Sequence, residues 1–310
     1  MEIINSLSGF SNNFGGTAVT IGSFDGVHKG HQFLLDQLKK EAHSNKLKSL
    51  VITFEPHPLV FFQPDNKNIL LLNTLDEKID LLKKQGIDFL IIQKFDRFFA
   101  NQSPEHFIER LSKNVSMKVL LLGHDHHFGK DRSGTFEYIR SLEKKYDFKS
   151  VKVPAYQIND MTLSSTNVRN ELLNGNIKLA NQYLGYPFFI TGKVIRGSQL
   201  GRKLGFPTAN ISISTPYKLI PKQGVYLVRS KIDKKAVYGM MNIGFRPTIK
   251  GKSQTKEVYF FDFNKDLYEK ELRIEFLERM RDEQIFPSLE ALKEQLKKDE
   301  QNAHQLIKKL

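Results

Sequence analysis

The sequence predicts two domains in series, a parallel α/β domain followed by a small β-barrel with a C-terminal helix. Three observations carry this reading. The chain has 310 residues, more than one core of ordinary size organises, so two domains are expected. From Thr17 to about Leu184, short apolar strands alternate with amphipathic helical segments, the signature of βαβ units. Beyond Leu184-Gly185-Tyr186-Pro187, strand-sized apolar segments are separated by glycine, proline and polar turns, with hardly any helix before the C-terminal segment. The boundary is therefore placed near Tyr186, giving domains of residues 1–186 and 187–310.

Strands are expected at Ala18–Ser23, Ser49–Phe54, Phe89–Gln93 and Lys118–Gly123. Between them Leu34, Leu35, Leu38 and Ala42 share one helical face, and Ile79, Leu81 and Leu82 begin another. Ser103-Pro104-Glu105 reads as an N-cap with proline at the first helical position, opening a helix to about Leu111. At the far end Leu289, Leu292 and Leu296 recur at helical spacing just after Pro287, so a helix is expected to pack on the barrel. No internal repeat or low-complexity tract is evident.

Composition removes several classes. No apolar run approaches the ~20 residues of a membrane span; the longest, Ile69–Leu72 and Phe89–Ile92, are strand-sized. Met1–Phe10 has neither a basic start nor a sustained apolar stretch, so a cytoplasmic location is expected. There is no cysteine, which excludes disulfides, thiolate nucleophiles and cysteine-bound metals. The net charge of +13 suits a polyanion. Its spread along the chain, without a basic tail or an RNA-binding aromatic signature, favours small phosphorylated ligands over nucleic acid.

Val19 to His31 runs from a buried strand through Gly22-Ser23-Phe24-Asp25-Gly26 into a helix starting near Lys29. Ligands of α/β sheets bind at the carboxyl ends of strands. Gly22, Gly26 and Gly30 let backbone approach a phosphate, and the helix start aims free N–H groups at it. His28 and His31 flank that start and can donate to phosphate oxygens. Surface histidines on a turn and metal ligands are the other readings; the surrounding glycines favour phosphate.

Gly22 to His31 resembles the HxGH signature of the nucleotidyltransferase superfamily, in the extended form typical of bacterial bifunctional riboflavin kinase/FAD synthetases. The short HxGH is shared with several adenylyltransferases, but further segments narrow the match. Thr53-Phe-Glu-Pro-His-Pro58 resembles the family's second loop, Gly123–Gly129 its G-x-D-x-x-F-G loop, and Ser164-Ser-Thr-Asn-Val-Arg169 its SSTxxR motif. By chemistry alone, Ser164, Ser165 and Thr166 cap a helix and can bind phosphate, with Arg169 adding a permanent charge; a plain capped helix with a solvated arginine is the alternative.

The resemblance implies a Rossmann-like domain that transfers AMP from ATP to FMN by alignment and charge neutralisation, without a covalent protein intermediate. It assigns catalysis to His28, His31 and Arg169, nucleotide contacts to Gly22, Ser23, Phe24, Asp25, Gly26, Asp125, Ser164, Ser165 and Thr166, and flavin contacts to Pro56, His57 and Pro58. His124, His126 and His127 depart from the apolar or basic residues usual around Asp125.

The second half carries Gly192 to Asn210, which fits neither Walker A nor GxGxxG spacing. As bare chemistry it is a basic, glycine-rich loop ending in a rigid Pro-Thr step. It resembles the riboflavin kinase signature GxxLGxPTAN. Asn242-Ile-Gly-Phe-Arg-Pro-Thr248 and Glu257–Phe263 with Leu267-Tyr268 resemble two further kinase segments. The resemblance implies that Gly201, Gly205, Pro207, Thr208 and Asn210 hold ATP, with Thr208 and Asn210 on Mg²⁺. It makes Glu257 the proton acceptor of the ribityl hydroxyl and Arg281 a flavin contact. A glutamate on an alternating strand is otherwise a solvated residue. Tyr259 replaces a usual histidine, and Glu269 a usual glycine.

The expected partners are riboflavin, FMN, FAD and ATP, with Mg²⁺ as cofactor, no membrane and no nucleic acid; no feature of the sequence specifies an oligomeric state. One rival, an HxGH adenylyltransferase acting on nicotinate mononucleotide or phosphopantetheine, leaves the PTAN region idle. The other, a flavin-binding regulator or RNA-binding protein that has lost catalysis, rests on the charge and the altered histidine loop, and conflicts with the intact His28, His31, Thr208, Asn210 and Glu257.

Overall fold

The structure is a computed structural model, described here for residues 1–11, 15–66, 68–124, 129, 133–158, 161–197, 200–248 and 251–310. It divides into two compact units, Met1–Ser165 and Thr166–Leu310.

The first unit is built on a parallel sheet. Its strands are β1 (Glu2–Ile4), β2 (Thr17–Ile21), β3 (Lys48–Glu55), β4 (Phe89–Lys94), β5 (Met117–Leu122) and β6 (Lys149–Lys152), in the order β1-β4-β3-β2-β5-β6. Every residue of β2 is buried, as a central strand covered on both faces must be. The four expected strands are present to within a residue or two. β1 and β6 sit at the edges, too short and too polar to announce themselves. From β2 the chain adds β3 and β4 on one side and β5 and β6 on the other, so the order reverses between β2 and β5. That is where an open α/β sheet leaves a crevice for a ligand.

Helices α1 (Lys29–Ser44), α2 (Pro58–Phe62), α3 (Leu75–Lys83), α4 (Arg97–Ala100), α5 (Pro104–Val115), α6 (Phe136–Ser141) and α7 (Glu143–Tyr146) connect the strands. α1 buries Leu34, Leu35, Leu38 and Ala42, the predicted face. α3 begins in a full capping box: Thr74 Oγ1 accepts from Glu77 N, and the Glu77 carboxylate accepts from Thr74 N. α5 starts at the predicted Ser103 cap but outlasts Leu111 by a turn, until Ser116 takes a left-handed conformation (φ 48°). Val19, Ile21, Leu50, Ile52, Ile108 and Leu120 belong to the core below the crevice. A short antiparallel pair, β7 (Gln157–Ile158) and β8 (Met161–Thr162), leads to the end of this unit.

The second unit is a closed antiparallel barrel. β9 (Phe189–Ile195), β10 (Ala209–Ser212), β11 (Gly224–Ile232), β12 (Lys235–Thr248), β13 (Gly251–Phe260) and β14 (Glu271–Arg281) close in the order β10-β13-β12-β11-β14-β9. Closure leaves no open sheet edge. α8 (Ser165–Asn174) and α9 (Ile177–Leu184) precede the barrel, and the short α10 (Leu200–Leu204) follows β9. α11 (Leu289–Ile307) is capped by Ser288, whose hydroxyl accepts from Ala291 N, and sets Leu296, Ala303 and Ile307 against a core of Phe206, Leu227, Met240 and Phe261.

The division by contacts falls upstream of the change in sequence texture at Tyr186, because α8 and α9 are bonded to the barrel. Lys222 N donates to Leu172 O (3.1 Å), Asn181 Nδ2 donates to Phe276 O (2.9 Å), and Phe188 N donates to Asn181 Oδ1 (2.7 Å).

Candidate active sites

The first site grows from the end of β2. Beyond Ile21 the chain passes through three left-handed residues, Phe24 (φ 49°), Gly26 (φ 85°) and Val27 (φ 36°). Glycine takes this conformation freely, whereas Phe24 and Val27 do so at a cost. Both are fully buried, so packing enforces the turn, and such enforced strain clusters at functional sites. α1 then starts with His28 at its N-cap, where the imidazole makes no capping bond.

The rings of His28 and His31 stack at 3.8 Å, inclined by 22°, over the first turn of α1. Gly30 permits this: a Cβ there would meet the His28 ring at 3.0 Å. Phe24 meets His31 edge-on at 5.2 Å. Burial holds the His31 imidazole well below its usual value, with His28 and Lys78 adding to the effect. A neutral His31 at the positive end of a helix can present an N–H donor to an anion.

The neighbouring loops are tied to this turn. The Asp25 carboxylate, 2% exposed, accepts from Leu72 N (2.9 Å) and Asn73 N (3.2 Å), so it anchors the approach to α3. Ser165 Oγ donates to Asp25 O (2.8 Å), and Thr53 Oγ1 donates to Ser23 O (3.2 Å). His57 caps α2 by accepting from Leu59 N, with Pro56 before it and Pro58 opening the helix.

A cleft of about 1180 Å³ opens over the histidines. Gly22, Ser23, Phe24, His28, His31, Pro58, Ser164 and Ser165 line it, whereas Asp25, Gly26, Pro56 and His57 do not. One wall is aromatic: Phe61, Phe62, Phe95 and Phe99, with Phe61 edge-on to Phe62 and Phe95, while Tyr156, which also lines the cleft, packs against Phe33 of α1. The motifs missed this wall. Its trace in the sequence is the phenylalanine clustering at Phe61-Phe62 and Phe95–Phe99, in a chain with no tryptophan. His124 reaches the cleft, while Asp125, His126 and His127 lie outside the described residues. Thr166 and Arg169 follow Ser165 on α8, in the second compact unit.

The second site lies on the barrel. Asn210 on β10 is registered opposite Glu257 on β13, which is registered opposite Asn242 on β12. Directly opposed residues share a face, so the three form one polar row. Thr208 Oγ1 donates to Glu257 Oε2 at 3.3 Å. Asn242 is an addition to the sequence-based set; only the strand register puts it beside Glu257. A cleft of about 410 Å³ reaches Thr208 and is lined by Pro207, Ala209, Val258, Phe260, Asp266 and Tyr268 among others, while Asn210, Asn242 and Glu257 do not line it.

The glycines of the preceding segment have separate tasks. Gly197 lies against the Asn210 amide and Gly201 against Phe206 O, where a Cβ would stand 2.2 Å and 2.3 Å away. Gly205 (φ 89°) ends α10 with Gly205 N donating to Arg202 O and Phe206 N to Gly201 O, a Schellman closure that aims Pro207-Thr208 into the barrel.

Three residues singled out by sequence have other attachments. Arg281 is bound through Nε (2.9 Å) and Nη2 (2.6 Å) to Asp299 on α11, where Asp299 also accepts from Gln295. Tyr259 packs edge-on against Phe206 and donates to Glu300, so its bulk fills the seam under α11. Glu269 is left-handed (φ 65°), a conformation glycine takes freely, and pairs with Lys193 at 2.5 Å.

A helix-start phosphate cradle at a sheet switch point, with a Thr-Asn-Glu cluster on a separate barrel, defines a protein with two nucleotide-handling sites. The FAD synthetase family model matches residues 11–167, and the riboflavin kinase model matches residues 184–307. The chain is 38% identical over 305 residues to a bifunctional riboflavin kinase/FMN adenylyltransferase of Haemophilus influenzae, covering 98% of each chain. It is 35% identical over 292 residues to the protein of that name in Bacillus subtilis, covering 93% of this chain and 91% of the other. A crystal structure from Streptococcus pneumoniae described as a macrolide-efflux protein shares the fold, with TM-score 0.88, 31% identity and coverage of 97% and 98%. Among the described residues no helix is long and apolar enough to cross a membrane. The chain belongs to the bifunctional riboflavin kinase/FMN adenylyltransferase family.

Proposed function

We propose that this protein converts riboflavin to FMN and FMN to FAD, spending one ATP at each site. The supporting observation is that each family match encloses its own polar cluster, one at the sheet crevice and one on the barrel. A single-function adenylyltransferase would leave the second cluster without a purpose. We assign adenylyl transfer to residues 1–186 and phosphorylation to residues 187–310.

At the first site an FMN phosphate oxygen attacks the α-phosphorus of ATP, forming the anhydride and releasing pyrophosphate. The attacking group is already an anion, so the protein need only align the reactants and neutralise charge. His28 and His31 donate to the triphosphate, the left-handed turn from Gly22 to Gly26 presents backbone to it, and the aromatic wall receives the flavin ring. Ser164, Ser165, Thr166 and Arg169 are assigned to phosphate by their motif, and Pro56, His57 and Pro58 to the flavin side by theirs.

At the second site the ribityl hydroxyl of riboflavin gives its proton to Glu257 as its oxygen attacks the γ-phosphorus, and ADP leaves. The Thr208 hydroxyl and the Asn210 amide oxygen are hard oxygen donors on one face, beside the Glu257 carboxylate, and would hold Mg²⁺ together with phosphate oxygens. Bound there, Mg²⁺ supplies Lewis-acid neutralisation of phosphate charge. A basic, cysteine-free chain handling free nucleotides suits a cytoplasmic enzyme.

The paired variant His28→Ala/His31→Ala tests the division of labour. Each lost donor is expected to cost ~2.7–4 kcal/mol, or 10²–10³ in rate, so FAD formation should vanish while riboflavin still becomes FMN at the wild-type rate. FAD accumulating at a near-normal rate would overturn the assignment.

A further inference from the structure

Beneath the histidine pair lies a buried cation that no motif singles out. Lys78 is 4% exposed and occupies the inward face of α3 with Leu81 and Leu82. Its ammonium donates to Thr53 Oγ1 at 3.3 Å, and Thr53, itself fully buried, passes its own proton on to Ser23 O in the phosphate turn. Asp25 and Glu55 are the carboxylates that act on it. Asp25 is the same carboxylate that fastens Leu72 and Asn73 at the entrance to α3. One ammonium on α3 thus connects, through Thr53 at the end of β3, to the loop after β2. Lys78 does not line the cleft, so it does not touch substrate.

Burying an ammonium is expensive, and an apolar side chain of the same length would pack against Leu81 and Leu82 without that cost. Stability alone gives no reason for a lysine here.

We propose that Lys78 is a positioning residue for adenylyl transfer, holding the turn after β2 through Thr53 and Asp25. The proposal rests on the adenylyl-transfer reading of the first site. Charged and titratable groups facing His31 and Lys78 are His28, Asp25 and Glu55, with Asp76 acting on Glu55. Burial lowers His31 first, and the positive charges of His28 and Lys78 follow. Removing Lys78 takes away one of those positive charges, so His31 should bind its proton more tightly.

The test uses the full chain carrying Lys78→Met or Lys78→Gln, with riboflavin phosphorylation as control in the same preparation. Outer groups that orient a site are commonly worth about 10- to 100-fold, so kcat for FMN adenylylation should fall by that factor. The KM values for ATP and FMN should stay within about threefold, and phosphorylation should be unchanged. In nuclear magnetic resonance titrations of histidine-labelled protein, the His31 midpoint should move to higher pH in both variants and stay in place in Lys78→Arg. Thermal stability of Lys78→Met should equal or exceed that of the wild type. An unmoved His31 midpoint, a loss confined to KM, or failure of both neutral variants to fold would each overturn the proposal. A wild-type chain that phosphorylates riboflavin but never adenylylates FMN would instead sink the reading on which it rests.

Discussion

Glu257→Gln isolates the chemical step of the kinase site. The substitution keeps the side-chain length and an oxygen for the Thr208 hydroxyl, which donates to Glu257 at 3.3 Å. Opposed to Asn210 and Asn242 in the barrel register, the new amide remains among hydrogen-bonding neighbours. What disappears is the capacity to take a proton. A general base contributes typically 10²–10⁴-fold, or about 2.7–5.5 kcal/mol at 1.36 kcal/mol per tenfold. Weakening the hydrogen bond to Thr208 would cost only about 0.5–1.5 kcal/mol, no more than roughly tenfold. The two outcomes are therefore separable in riboflavin phosphorylation measured against riboflavin and ATP concentration, with FMN adenylylation as a folding control. The expected result is a fall in kcat of at least a hundredfold with KM nearly unchanged. Turnover within tenfold of the wild type would refute the base assignment and direct attention to Asp266, which lines a cleft together with Thr208.

A fragment of residues 166–310 should fold and phosphorylate riboflavin, whereas one of residues 188–310 should be less stable by several kcal/mol in urea unfolding. The shorter fragment loses the buried Leu172, Ile177, Ala180, Tyr183 and Leu184, at roughly 1.5–3 kcal/mol for each large side chain before chain ordering is subtracted; equal stabilities would contradict the contact division. Asp299→Asn should destabilise the barrel unit by about 3 kcal/mol or more, because the Arg281 guanidinium would lose its nearly buried partner. A variant of full stability with weakened riboflavin affinity would instead return Arg281 to the flavin site. In Asp88, burial favours the neutral acid, but hydrogen bonds from the Ser49 hydroxyl and amide, with Lys48, prevail and hold the carboxyl below its usual range. A depressed carboxyl stabilises the fold above its unfolded-state pKa and loses that contribution as pH falls through the folded value. Asp88→Asn should therefore cost about 1 kcal/mol at pH 7, a figure kept small because the side chain is 40% exposed. In thermal unfolding the difference from wild type should close in acid, and a gap that persists there would refute this.

Much of the fold was legible because each signal was local. The period of Leu34, Leu35, Leu38 and Ala42 gave the buried face of α1, and Ser103-Pro104 gave the start of α5. Histidines and glycines at close spacing gave the turn between β2 and α1, since one strand-to-helix turn contains them all. What stayed hidden depends on distant partners. Lys78 reads as surface charge until Thr53 and Asp25 are seen to enclose it. Asn242 joins the kinase row only through pairing between β12 and β13. Arg281 looked free for flavin because nothing nearby in the chain announces Asp299 on the last helix. The texture break at Tyr186 reports where strands replace helices, which is a different quantity from where contacts thin out.

The most direct test of the two-site account is a time course of the purified full chain with riboflavin, ATP and Mg²⁺, resolved by chromatography. FMN should appear first and FAD after it, with pyrophosphate released in step with FAD and ADP in step with total phosphorylated flavin. FMN that accumulates without FAD, or added FMN that is adenylylated while riboflavin is left untouched, would contradict the claim that one chain carries both activities.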